Sequence, residues 1–145
     1  MDIEFRTIER SNWMQCTQLE VNDEQKNFVA SNSFSLAQAS YEPDTYPFAI
    51  YRNGEMVGFI MYDFDSDFGV WEMCRLMVDK KHQKQGIGKA AVEKLLKHVT
   101  AKHGHIMFYT SAEPTNANAI RTYEKAGFKL NGNIVYGEAQ LQIQL

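Results

Sequence analysis

Between residues 70 and 103 the chain reads as an apolar strand, a glycine-punctuated turn and a long amphipathic helix, in that order. The run Val70-Trp71-Glu72-Met73-Cys74-Arg75-Leu76-Met77-Val78 leads through Asp79-Lys80-Lys81-His82 into Gln83-Lys84-Gln85-Gly86-Ile87-Gly88. Beyond the turn, Val92, Leu95, Leu96 and Val99 recur at i, i+3, i+4 and i+7. Lys89, Glu93, Lys94 and Lys97 take the outer side, and Gly104 ends the helix. A helix with one apolar stripe, fed by a strand, must pack on a sheet. The same order builds an anion cradle: glycines at 86 and 88 let backbone approach a ligand, and the first helical turn offers unpaired N–H groups and a partial positive charge.

Spacing decides which phosphate site this is. A dinucleotide fingerprint needs G-x-G-x-x-G, and a Walker loop needs G-x-x-x-x-G-K-[ST]; the chain has neither. Further on, His105-Ile106-Met107-Phe108-Tyr109-Thr110-Ser111 reads as a strand. Pro114-Thr115-Asn116-Ala117-Asn118-Ala119-Ile120-Arg121-Thr122-Tyr123 then reads as a helix ending at Gly127-Phe128. Thr115 or Asn116 caps its start, Ile120 and Tyr123 share a face, and Gly127 supplies the left-handed stop.

Gln-x-x-Gly-x-Gly between strand and helix, followed by an Asn and a Tyr seven residues apart in a second helix, resembles motifs A and B of the GNAT N-acetyltransferases. The likeness covers nearly the whole chain. Asn22 to Ala30 with Asn32 and Ser35-Leu36-Ala37, and Arg75-Leu76-Met77-Val78-Asp79, resemble the bacterial spermine/spermidine (diamine) branch of that family. The resemblance implies a mixed α/β fold: a twisted, mostly antiparallel sheet of about six or seven strands flanked by about four helices. It implies acetyl-CoA as co-substrate, with no metal. Leu76, Met77 and Val78 would pair with the pantetheine arm, and Gln83, Lys84, Gln85, Gly86, Ile87, Gly88 and Lys89 would hold the pyrophosphate. Asn116 and Ala119 would line the arm, and Tyr123 would protonate the departing thiolate.

An amine must lose a proton before it attacks a thioester, so a base is required. Glu72 is the candidate, placed by period-two alternation on one strand face with Cys74, Leu76 and Val78. For a cationic acceptor the carboxylates Glu20, Asp23, Glu24, Glu42 and Glu113 are candidates, with Asp44 beside them, and Tyr41, Tyr46 and Phe48 either flank a methylene chain or pack in the core. The charge distribution agrees: residues 1–79 hold 5 basic against 14 acidic side chains, residues 80–145 hold 10 against 4. An acidic half disfavours nucleic acid and suits a cationic small molecule. The expected activity is acetyl transfer to a polyamine. Another amine (an aminoglycoside-like drug, an amino acid, a protein N-terminus) is the alternative within enzymes, and a non-catalytic acyl-CoA sensor the alternative outside them.

At 145 residues a single domain spanning 1–145 is expected. The N-terminal Met1-Asp2-Ile3-Glu4-Phe5-Arg6 has no leader pattern, and no apolar run approaches the roughly twenty residues that span a bilayer, which predicts a cytoplasmic protein. Cys16 and Cys74 are isolated and read as reduced thiols; the four histidines lack partners at ligand spacing. The family resemblance allows a homodimer.

The remaining elements are a strand at Ile3 to Ile8 and a helix from Ser11-Asn12 with Trp13, Met14, Thr17, Leu19 and Val21 on its inner side. A second helix covers Ser35 to Tyr41, and Phe48–Tyr51 and Met56–Tyr62 form a hairpin turned at Asn53-Gly54. Asp63-Phe64-Asp65-Ser66-Asp67 reads as a hairpin-end loop, and Lys129–Asn131 and Ile134–Leu145 read as closing strands.

Overall fold

The computed structural model describes all 145 residues. Its sheet contains β1 (Ile3–Thr7), β2 (Thr45–Arg52), β3 (Glu55–Asp65), β4 (Val70–Val78), β5 (Met107–Ala112), β6 (Lys129–Val135) and β7 (Glu138–Gln144), in the spatial order β1-β2-β3-β4-β5-β7-β6. Only β4 and β5 run parallel. The helices are α1 (Trp13–Gln18), α2 (Asn32–Tyr41), α3 (Ile87–His103) and α4 (Ala117–Lys125). This is the mixed α/β, mostly antiparallel architecture expected from the sequence.

Two cores sandwich the sheet. On one face α3 buries Ile87, Ala91, Val92, Leu95 and Val99, and α4 buries Tyr123, against Ile60, Tyr62, Met73, Phe108 and Leu141. On the other face α1 and α2 cover Ala49, Phe59, Met61 and Met77, with Cys16 at the centre. The apolar stripe read from the sequence of α3 is the stripe the fold buries.

A β-bulge in β4 redirects its side chains. Met61 pairs with Arg75 and Tyr62 with Met73, so Cys74 is an extra residue. Before the bulge Trp71 and Met73 face α3; after it Leu76 and Val78 do, while Met77 faces the α1–α2 side. Strict alternation from Glu72 to Val78 therefore fails. Glu72 keeps the side of Cys74 and lies on the opposite face from Leu76 and Val78. Arg75 fastens the bulge, donating from Nη1 to the Cys74 carbonyl (2.8 Å), from Nε to Ser35 Oγ (3.2 Å) and from Nη2 to Gln38 Oε1 (2.9 Å).

Other boundaries shift for identifiable reasons. In α1 only Cys16 is buried, whereas Trp13 and Met14 are 47% and 59% exposed, and Leu19 and Val21 follow the helix end. Six residues make too little helix to present a long stripe. Helix α2 starts earlier than expected because Ser31 Oγ accepts from the Phe34 N–H (3.1 Å). Asp63 and Asp65 belong to β3, and the hairpin end is an Asx turn in which Asp65 Oδ1 accepts from the amides of Asp67 and Phe68. Strand β6 passes through Gly132 instead of turning there. Asn131 Nδ2 donates to Gln140 and Gln142 Oε1 (2.9 Å each), which carries the pairing across the irregularity, and the turn falls at Tyr136-Gly137.

The end of β4 is held tightly to β3. A methyl group added at Gly58 would lie 2.5 Å from the Met77 carbonyl oxygen and 3.2 Å from Ile50 Cδ1. Gly58→Ala is expected to cost about 1–3 kcal/mol in urea unfolding, because the sheet must open locally to admit it. A wild-type midpoint would contradict this packing.

Candidate active site

Strands β4 and β5 pair over three residues only, Trp71–Met73 with Phe108–Thr110, and then part. At the fork, within the last paired position, Thr110 Oγ1 donates to the buried Met73 carbonyl (3.0 Å). Beyond it Leu76, Met77 and Val78 stay paired to Ile60, Phe59 and Gly58 of β3, and no strand pairs with their other edge. The gap is a cleft of about 290 Å³. Its walls are Met73 to Leu76 of β4, Thr110 to Ala112 of β5, Asn116, Ala119 and Tyr123 around α4, Phe28 to Ala30 from the α1–α2 segment, and Glu138 of β7.

At the end of β4 the chain enters the glycine turn. Gly86 adopts φ +80° at the N-cap of α3, a conformation costly for any side chain, and Lys84 is also left-handed at +62°. The first intrahelical bond is Ala90 N–H to the Gly86 carbonyl (3.1 Å). The amides of residues 83 through 89 have no acceptor within the protein. Seven successive N–H groups at the start of a seventeen-residue helix are thus left free, and the positive end of the helix dipole lies among them. Ile87 is buried and contributes only its amide. Gln83's side chain is otherwise engaged, bonded to Val78, Gln25 and Asn22, and Lys89 pairs with Glu93 at 3.0 Å in solvent.

Across the cleft Asn116 caps α4: its Oδ1 accepts from the Ala119 N–H (3.3 Å), and its Nδ2 has no protein partner. Tyr123 is 8% exposed, and burial, with Glu138 adding its charge, pushes the phenol up to about 12. It is therefore a protonated donor at neutral pH.

Glu72 stands just below the fork, opposite Asp63 on β3 and Tyr109 on β5, and does not form part of the cleft wall. Burial first, and the Asp63 charge second, push its carboxyl up to about 8. Burial also raises Asp63, whose Oδ1 is enclosed without a hydrogen-bond partner. The pair titrates as a unit. Asp65 adds to the field, and Arg75 opposes it.

The acidic residues expected at the acceptor side lie elsewhere. Glu20 contacts Lys80 at 2.6 Å and Lys26 at 3.8 Å, Asp23 contacts Lys26 at 3.0 Å, and all are exposed. Glu24 and Glu42 are exposed and Glu113 is half-buried at the β5–α4 turn; none of the five lines the cleft. The carboxylate in the wall is Glu138, whose Oε1 accepts from Ser111 Oγ (2.7 Å). Tyr46 and Phe48 are packed, stacking on Tyr62 and Phe5, and Tyr41 is 89% exposed. Both cysteines are free; no group of three or more His, Cys, Asp or Glu side chains is arranged to hold a metal, and no helix is long and apolar enough to cross a membrane.

The sequence pattern of the Acetyltransferase (GNAT) family matches residues 6–128. The chain belongs to the GNAT acetyltransferase family. It is an N-acetyltransferase, and acetyl-CoA is its co-substrate. The spermine/spermidine N(1)-acetyltransferase of Bacillus subtilis (strain 168) is 27% identical over 99% of both chains. The probable spermine N(1)-acetyltransferase of Bacillus subtilis subsp. natto is 28% identical over the same shares. Among solved structures, the aminoglycoside acetyltransferase AAC(6')-Ib with coenzyme A superposes with a TM-score of 0.81 at 19% identity, covering 99% of this chain and 95% of that one. A spermidine N-acetyltransferase SpeG chimera from Vibrio cholerae and hSSAT gives 0.75 at 14%, covering 98% and 94%. The residues present suit the co-substrate: free amides for a diphosphate, an unpaired strand edge for an amide-bearing arm, and a buried phenol at the cleft.

The raised carboxyl fixes the sign of one pH effect. Folded Glu72 retains a proton that the unfolded chain releases near its ordinary 4.5, so stability falls as pH rises from there towards about 8. Glu72→Gln should flatten that decline in thermal melts between about pH 5 and pH 8. A slope equal to wild type would show that Glu72 ionises normally.

Proposed function

We propose that this chain, as one domain over residues 1–145, acetylates a primary amine of a polyamine such as spermidine or spermine. The observation that carries the donor half is the row of seven free amides opening beside the fork. The acceptor half is supported by Glu138 in the cleft wall, by Asp63, Asp65 and Glu72 nearby, and by likeness over the full length to spermine/spermidine acetyltransferases. Several carboxylates around one cleft suit several ammonium groups on one flexible chain.

In this reading the amides of 84–89 hold the diphosphate and the free edge of Leu76–Val78 receives the pantetheine arm, with Asn116 Nδ2 donating to it. An amide of β4 near Met77 or Val78 polarises the thioester carbonyl. An alkylammonium of pKa about 10 gives one proton through water to Glu72 in its ionised form, the minor species at neutral pH for a carboxyl raised to about 8 and outside the cleft wall. The nitrogen lone pair attacks the carbonyl carbon, and the C–S bond breaks. Tyr123 donates to the leaving sulfur and recovers its proton from the nitrogen as the amide forms. Glu138 orients the cation.

Tyr123→Phe is expected to lower kcat by about ten-fold or more while acetyl-CoA affinity stays near wild type; an unchanged kcat at saturation removes Tyr123 from the chemistry. Gly86→Val should weaken coenzyme A binding in calorimetry by about ten-fold or more, because the left-handed turn and its amides are lost. Thiol release with acetyl-CoA against polyamines, aminoglycosides and a peptide N-terminus tests the acceptor. Turnover confined to the latter two would overturn the polyamine reading.

A further inference from the structure

The segment between α1 and α2 is tied to the segment between β4 and α3. The Glu20 N–H donates to Asp79 Oδ1 (2.9 Å), the Lys80 N–H donates to the Glu20 carbonyl (2.8 Å), and Lys80 Nζ donates to Glu20 Oε1 (2.6 Å). Three residues on, Gln83 is the junction. Its Nε2 donates to the Val78 carbonyl (2.9 Å) and to Gln25 Oε1 (2.8 Å), and its Oε1 accepts from Asn22 Nδ2 (3.0 Å). The Phe28 N–H in turn donates to the Gln25 carbonyl (2.9 Å), and Phe28, Val29 and Ala30 form one wall of the cleft. A continuous line of hydrogen bonds thus joins the first residue of the anion cradle to the far side of the site.

We propose that Gln83 is a positioning residue that holds the cleft wall of residues 22–30 through Gln25, so that occupation of the cradle and affinity for the amine are coupled. The proposal rests on the donor-site reading above. Both side-chain N–H groups and the carbonyl oxygen of Gln83 are engaged within the protein, so this amide acts on the wall and not on a phosphate. An anion gathered by the amides of 83–89 fixes the backbone from which that side chain projects. Beyond Val29, which packs on the α1–α2 core, and the exposed ion pairs of Lys26, the wall is lightly held: Glu24 and Asn27 are exposed, and Phe28 to Ala30 are only half-buried. Ordering it once, when the cradle fills, reduces what the second ligand must order, and linkage makes the effect reciprocal.

The test uses the full chain, coenzyme A as probe and hydrogen exchange as readout. Coenzyme A should slow exchange at 83–89 and also at 26–30. In Gln25→Ala, which leaves the cradle intact, protection should remain at 83–89 and vanish at 26–30. KM for the amine turned over should then rise about three- to ten-fold, the effect of one hydrogen bond, with KM for acetyl-CoA changed less than about two-fold. Gln25→Glu keeps an oxygen acceptor for Gln83 Nε2 and should restore both. Retained protection at 26–30 in Gln25→Ala, or a Gln25→Glu variant as impaired as the alanine, would overturn the proposal. Absence of protection at 83–89 in the wild-type chain would overturn the donor-site reading beneath it, a separate and visible failure.

Discussion

The parting of β4 and β5 is the constraint on which the rest of the site depends. Two parallel strands inside a sheet ordinarily pair along their length, because each unpaired N–H or C=O left in the interior costs free energy. Here pairing stops after three residues, and carbonyls beside the fork take side-chain donors. The Met73 carbonyl takes the Thr110 hydroxyl, and the Cys74 carbonyl takes the Arg75 guanidinium. What remains open, the outer edge of Leu76 to Val78, can bond a ligand's amides as a further strand would. The site is thus made by withholding a strand at one place in an otherwise continuous sheet.

The bulge at Cys74 and the fork act together. One extra residue turns Leu76 and Val78 towards α3, leaves Glu72 on the opposite face, and aims Arg75 at α2. The cleft consequently joins two electrostatically different sides. Towards α3 it meets free amides at a helix N-terminus, and on the other face it approaches Asp63, Asp65, Glu72 and Glu138. On the proposed function, an anionic donor and a cationic acceptor meet at the fork from opposite sides of the sheet without competing for the same field.

What could be read from the chain beforehand follows from locality. The stripe of α3, the left-handed Gly86 and the Asn116 cap depend on residues a few positions apart, and they stand where the periodicity places them. Period-two alternation misplaces Glu72 relative to Leu76 and Val78 because a bulge is a property of two strands, and β4 alone gives no signal of it. Glu138 reaches the cleft wall through the pairing of β5 with β7 and its bond to Ser111, a long-range contact that no local pattern displays. The alternation of Asp63 and Asp65 at period two was the available hint that β3 extends to its acidic end. Glu20's pairing with Lys80 joins residues sixty apart, and such neutralisation of an acidic residue is invisible to any local pattern.

The same burial that distinguishes these groups also suits them to the division of labour proposed for them. A proton moving from an alkylammonium of pKa about 10 to an ordinary carboxylate faces an equilibrium unfavourable by about a millionfold; against a carboxyl near 8 the penalty is about a hundredfold. Asp63 contributes by placing a second negative charge across the strand pair, so the basicity of Glu72 is strengthened by its neighbour as well as by exclusion of water. Tyr123, enclosed on the other face, is raised to about 12 and so keeps its proton while Glu72 exchanges its own. Two acids pushed in the same direction thus suit the opposite roles proposed for them, because one starts well below neutrality and is brought near it, and the other starts above and is moved further away.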